Sequence, residues 1–318
     1  MKASNLKIAH RRLFSHFYDA LAELSPTLKT KLDHPKFSQD GLLLADSWVL
    51  IDELIAVLQE LTREKRLDIL IKASQEFDIS QISEELIEEN RPPTLGQALN
   101  ILLSKISHIT SQAKAWLSYG EDGRWYLCHD SGYSNLSVGK AEFDIYRNLL
   151  LISFCQLYLG EEWQPEFVWV TAKTETSLAQ SKLSIEVIGQ HQFSGFAIPL
   201  SEKIENPSGI KDWSLSESIS LVLDNYVVVE NMTTHSFAKL VGMSVRTLQR
   251  RLHDEQVTFR DLLLDSRLGY AIKTFKNDNR LQVEEIAARC GYSDVANFRR
   301  AFKKRYKMTF NQYMNKML

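Results

Sequence analysis

The chain has 318 residues, 44% of them hydrophobic and 25% charged, with a net charge of −2. That length is long for one domain and comfortable for two, and the composition fits a soluble globular protein with real cores. The three cysteines, Cys128, Cys155 and Cys290, are far apart and odd in number; they suggest no disulfide framework and show no metal spacing.

The charge is unevenly spread. Residues 211–318 carry 18 Lys+Arg against 12 Asp+Glu, a net of +6; residues 1–210 carry 20 against 28, a net of −8. A basic C-terminal part on an acidic partner suits a nucleic-acid module joined to something else. The N-terminus, Met1 to Arg12, is charged and lacks the apolar core of a signal peptide. The longest apolar-rich run, Leu149 to Leu159, is too short to cross a bilayer and reads as a buried helix. The expectation is a cytoplasmic protein with no membrane partner and no cofactor.

Along the chain, Trp48 to Leu61 has apolar residues at helical spacing: Val49, Leu50, Leu54, Val57, Leu58 and Leu61. Glu84 to Glu89 reads as a solvated helix face. Thr94 follows two prolines and can cap a helix whose stripe is Leu95, Ala98, Leu99, Leu102, Leu103 and Ile106. The period then changes. Residues 115–119 and 124–128 flank Glu121-Asp122-Gly123, which predicts a hairpin. Phe143 to Leu159 returns to helix; residues 166–171 and 193–198 read as strands. Residues 1–200 are therefore an α+β domain. Residues 201–214, polar and rich in breakers, read as a linker.

From 215 to 318 the expectation is all-α. Ser216 can cap a helix reaching about Val228. Thr234 precedes the segment Ser236-Phe-Ala-Lys-Leu-Val-Gly-Met-Ser-Val-Arg-Thr-Leu-Gln-Arg-Arg-Leu252. A partial echo follows: Glu285-Ile-Ala-Ala-Arg-Cys-Gly-Tyr-Ser-Asp-Val-Ala-Asn-Phe-Arg-Arg-Ala-Phe302. Each copy reads as a short helix, a glycine turn, a Ser cap and a helix carrying Arg-Arg, the pattern of a helix-turn-helix. Between them, Thr258 to Phe275 predicts a stiff connector helix with Phe259, Leu262, Leu263, Leu268, Ala271, Ile272 and Phe275 on one face. Seven helices are expected in all.

The residue types suit a DNA groove. Ala238 and Ala287 let paired helices approach. Gly242 and Gly291 sit where the chain must turn with positive φ, and Ser244 and Ser293 can cap the next helix. With Leu248, Leu252, Phe298 and Phe302 inward, Val245, Arg246, Gln249 and Arg250 face outward on the first helix. On the second, Val295, Ala296, Asn297, Arg299 and Arg300 do so, followed by Lys303, Lys304 and Arg305. Arg pairs bidentately with guanine, and Gln or Asn with adenine, at roughly 1–3 kcal/mol of discrimination each. The trailing cations suit phosphates, which position without reading.

Residues 216–318 resemble the DNA-binding domain of AraC/XylS-type transcriptional regulators. The resemblance is carried by Ile286 to Tyr306, with its Ala-x-x-x-Gly-Tyr-Ser-Asp turn and Phe-x-Arg-x-Phe-Lys helix. Where that family usually shows Gly-x-Ser-Pro-x-x-Tyr, this chain has Lys307 for Gly and Phe310 for Pro but keeps Tyr313. The resemblance implies two recognition helices entering successive major grooves of double-stranded DNA, one helical turn or about 34 Å apart. It gives Arg246, Gln249 and Arg250 as base contacts in the first helix, and Ala296, Asn297 and Arg300 in the second. Ala296 is a departure that offers only a methyl-sized apolar contact.

Residues 1–200 more weakly resemble the arabinose-binding-like effector domain found in one branch of that family. Trp48–Thr62, Pro92–Leu99, Gly189–Phe193 and Phe196–Pro199 carry this resemblance. It implies a small-molecule effector without naming it, and no ligand-contact residue is carried over. Trp116, Trp125, Tyr126 and Trp169 are either pocket aromatics or plain core; His129 and His191 could meet a polar ligand. Homodimer formation and contact with RNA polymerase are further partners such a regulator could have. Two other readings stay open: a dimerising DNA-binding protein without a ligand, and a DNA-tethered alkyl-transfer enzyme. The enzyme would need an activated Cys; Cys128 precedes His129, but no Pro flanks it.

Overall fold

The computed structural model describes residues 6–27, 48–77, 92–111, 114–132, 139–172, 185–201, 213–224, 226–227 and 232–317. Two compact units emerge. One takes residues 9–34 and 50–212; the other takes Trp213–Leu318 with the short described stretches 6–8 and 48–49. The acidic run Glu84–Glu89 lies outside the described residues, as do residues 202–212 of the expected linker.

The chain opens with β1 (Ile8–His10) and α1 (Ser15–Leu24). Trp48 does not begin a helix: Trp48–Leu50 is a strand, β2, and α2 runs over Ile51–Arg63. All three strand residues are buried, and a short run of that kind carries no period to separate strand from helix. The two strands pair as a two-stranded sheet. α3 (Leu67–Gln75) follows. α4 (Leu95–Ile109) starts where expected: the Thr94 hydroxyl accepts from the Gln97 N–H at 3.3 Å. Its stripe of Leu95, Ala98, Leu99, Leu102 and Leu103 is buried.

The hairpin forms as expected, with β3 (Lys114–Tyr119) and β4 (Trp125–Asp130) antiparallel and Trp116 opposite Cys128. With β5 (Phe167–Trp169), β6 (Glu186–Ile188) and β7 (Ser194–Ile198) they make a five-stranded sheet of order β3-β4-β7-β5-β6. Only β5 and β6 are parallel. α5 (Lys140–Leu159) is the buried helix expected from the apolar run, three residues longer at its start. Polar pins fasten it to the sheet. Lys140 and Asp144, both fully buried, pair at 2.5 Å. Asp144 Oδ2 accepts from the backbone and hydroxyl of Thr171 at 3.0 and 2.7 Å. Asn148 donates to the Trp169 carbonyl and accepts from His129, each at 3.0 Å. Pairing and hydrogen bonding of this kind offset the cost of burying the charges.

The second unit has seven helices among its described residues: α6 (Leu215–Leu223), α7 (Thr234–Leu240), α8 (Val245–Asp254), α9 (Phe259–Asn277), α10 (Val283–Arg289), α11 (Val295–Tyr306) and α12 (Phe310–Met317). α6 is capped by Ser214, not Ser216, in a reciprocal box with Glu217, and it ends at Leu223 rather than near Val228. Glu255 adds a second anchor there, accepting from the N–H groups of Leu215 and Ser216 at 2.9 and 2.8 Å. Thr258 caps α9 through the Asp261 N–H at 3.2 Å. α9 then serves two cores. Its Phe259 ring lies 4.9 Å from Phe237 of α7, while Leu268 and Ala271 join Ile286, Ala287, Phe298, Phe302, Phe310 and Met314. No helix among the described residues is long and apolar enough to cross a membrane.

Candidate nucleic-acid interface

Both exposed basic helices are built by the same local devices. After α7 the chain turns at Gly242 with φ 65°, and after α10 at Gly291 with φ 72°. Both values lie in the left-handed region that glycine enters without steric cost. Ser244 caps α8, accepting from the Thr247 N–H at 3.1 Å. In the second copy the cap is one residue later than the repeat suggests: Asp294, not Ser293, accepts from the Ala296 N–H at 2.8 Å. Leu248 and Leu252 are buried beneath α8, and Phe298 and Phe302 beneath α11.

That burial fixes what is left outside. Arg246, Gln249 and Arg250 are exposed on α8 at the three- and four-residue spacing of one helix face. Ala296, Asn297, Arg300, Lys303 and Lys304 are exposed along α11. The cations around α11 differ in how they are held. Arg299 pairs with Glu284 at 2.8 Å and Arg305 with Asp265 at 2.8 Å. Arg300 donates to the Asn297 amide oxygen at 2.6 Å. Arg246, Arg250, Lys303 and Lys304 reach solvent without an ion-pair partner among the described residues.

One feature was not foreseen. Arg299, Arg300 and Lys303 line a cleft of about 350 Å³ together with Val283, Thr309, Phe310 and Asn311. The floor of this cleft is the first turn of α12, where Thr309 and Gln312 cap each other's backbone at 3.3 and 2.9 Å. Three cations beside a helix N-terminus make a surface for an anion. Arg299 was legible as an outward residue, but its approach to α12 depends on the turn at Lys307. Lys307 takes φ 60°, standing where the resembling family has glycine.

In the other unit each candidate aromatic packs on a neighbouring ring, Trp125 on Tyr119 at 5.2 Å. Trp169 stacks on Tyr126 at 4.6 Å and on His191 at 4.1 Å, and Trp116 meets Phe193 edge-on at 5.5 Å. His129 is fully buried; burial, then repulsion from Arg147, pushes it down to about 3. Burial pushes the Cys128 thiol up to about 12, the reverse of what a nucleophilic cysteine requires.

A helix-turn-helix domain model matches residues 237–316. The urease operon transcriptional activator of Escherichia coli is 42% identical over 78 residues, 24% of this chain and 25% of that protein. The transcriptional regulator SirC of Salmonella typhimurium (strain SL1344) is 28% identical over 137 residues, 41% of this chain and 46% of that one. The transcriptional activator AggR of Escherichia coli is 26% identical over 151 residues, 46% and 57% respectively. The matched segments thus span between a quarter and somewhat over half of these relatives. With its glycine turn, its cap and its basic second helix in place, the segment 237–316 is a helix-turn-helix domain, similar to that of these transcriptional regulators.

Proposed function

We propose that this chain is a sequence-specific DNA-binding transcriptional regulator whose α8 and α11 read successive major grooves of one duplex. One observation carries the reading: α9 packs on α7 of the first motif through Phe259 and joins the core under α11 of the second, so both motifs are braced on a single rod. Arg246, Gln249 and Arg250 on α8, with Asn297 and Arg300 on α11, are the readers, and Ala296 offers an apolar contact. Lys303 and Lys304 take phosphates. The cleft beside α12 extends the phosphate contact to Arg299, whose charge Glu284 already steadies. Residues 1–200 form the effector-binding or dimerisation domain, 201–214 the linker and 215–318 the DNA-binding domain.

The test is enrichment of duplexes from a random library by the full chain, followed by competition of the winner against random duplex at moderate salt. A specific site should win by at least the roughly thousandfold margin common to such proteins. Equal binding of all duplexes, with only a salt slope, would refute sequence reading and leave a non-specific basic surface.

A further inference from the structure

Inside the unit of residues 9–34 and 50–212 lies a cavity of about 70 Å³. Leu102 and Ile106 of α4 and Phe143, Leu150 and Leu151 of α5 form most of its apolar wall. Arg147 of α5 lines it too. The Arg147 Nη1 is buried and has no hydrogen-bond partner among the described residues. The acids nearest in charge are already engaged: Asp144 holds Lys140 and Thr171, and Asp130 accepts from the Gly132 N–H at 2.9 Å. The other polar groups of the wall are committed as well. The Tyr146 hydroxyl donates to the Leu13 carbonyl at 3.1 Å, and the Thr110 hydroxyl to the Ser111 carbonyl at 3.4 Å. Burial pushes the guanidinium down to about 10 against the pull of Asp144 and Asp130. It remains a cation at neutral pH with a donor to spare, beside an apolar space.

We infer that this cavity binds a short aliphatic carboxylate, the chain against the leucine and phenylalanine wall and the head group on Arg147. A buried donor without a partner is costly, and one beside a cavity is where an acceptor from outside settles. A carboxylate oxygen accepts a charge-assisted bond from the free Nη1, roughly twice as strong as the neutral one an alcohol offers, while an ammonium is repelled by the guanidinium. Water satisfies the site poorly, because an ordered water needs two to four polar partners and this wall supplies one free donor. The volume is about half the roughly 150 Å³ of an engineered apolar cavity that admits benzene, which limits the occupant to a short chain. This inference gives a chemical class to the effector of the regulator proposed above, and only its consequence for DNA rests on that proposal.

The experiment is calorimetric titration of the full chain with butanoate, 1-butanol and butylamine. Butanoate should bind and butylamine should not. Arg147→Met should weaken butanoate at least tenfold while leaving 1-butanol unchanged, and Leu102→Phe, which fills the space, should abolish both. If far-ultraviolet circular dichroism shows that R147M has lost its fold, Arg147→Lys takes its place. That variant keeps the charge but, with a shorter side chain and no Nη1 position, should still weaken butanoate. No butanoate binding by the unmodified chain, or equal affinity in the folded Arg147 variant, overturns the assignment. Binding to the enriched duplex is measured alongside in the absence of butanoate. Duplex binding without butanoate binding sinks the carboxylate site and spares the regulator; the converse result does the reverse.

Discussion

The Arg300 guanidinium rests on the Asn297 amide oxygen, one turn earlier on α11, at 2.6 Å. An asparagine reading adenine needs that same oxygen as acceptor and its amide as donor. The oxygen has two lone pairs, so it can hold Arg300 and accept from the base together. The two side chains therefore act as a unit. Replacing both Asn297 and Arg300 by alanine should cost less in duplex affinity than the sum of the single replacements, with a coupling of roughly 0.5–3 kcal/mol. Strict additivity in a double-mutant cycle would show two independent contacts.

Arg250 and Lys304 should separate reading from holding. Arg250→Ala is expected to cost roughly 1–3 kcal/mol and to relax the choice at one base position. Lys304→Ala should weaken binding on all sequences alike and lower the salt slope by about 1. Anisotropy on the enriched duplex and its single-base variants, across a salt series, distinguishes the two. Uniform weakening by Arg250→Ala would make Arg250 a phosphate contact.

Gly242 and Gly291 share a backbone conformation but not a neighbourhood. A methyl group on Gly242 meets nothing within 4 Å, whereas on Gly291 it would lie 2.7 Å from the Val227 carbonyl oxygen and 3.2 Å from Arg267 Nη2. Gly242→Ala should therefore cost only the left-handed penalty, roughly 1–2 kcal/mol. Gly291→Ala should add about 1–3 kcal/mol of overpacking. Urea midpoints of the two variants check this, and equal losses would refute the close approach at Gly291.

Glu255 ties the end of α8 to the start of α6. Burial pushes its carboxyl up, but hydrogen bonds from Ser216 and Leu215, aided by Arg251, outweigh this and hold it below the usual range. A folded value below the unfolded one, about 4.3, gives stability that is complete above that value and fades as pH falls through the folded value. Glu255→Gln should thus be less stable than the unmodified chain at neutral pH, with the gap closing as pH drops below about 4. A gap that stays constant across that range would mean that the carboxylate charge contributes nothing there.

The sequence revealed most where one residue type answers one local demand. Gly242 and Gly291 take the positive φ that marks a turn, and Thr94, Ser244 and Thr258 cap the helices that follow them. It misled where two answers stand side by side. Ser293 and Asp294 are both good caps, and only the structure shows Asp294 engaged. Past Leu223, Tyr226 and Val227 are still buried, so the apolar run outlasts α6 and hides its end. The cavity at Arg147 had no local signature. Its wall comes from α2, α4, α5 and residues near α1 and α3, and no spacing within one segment brings them together.

The central claim is that α8 and α11 occupy neighbouring grooves. Methylation protection of the enriched duplex by the full chain tests it most directly. Two clusters of protected guanines on one face, about 10 base pairs apart, are expected, with Arg250→Ala erasing protection in one and Arg300→Ala in the other. A single protected cluster that both substitutions weaken alike would contradict the account.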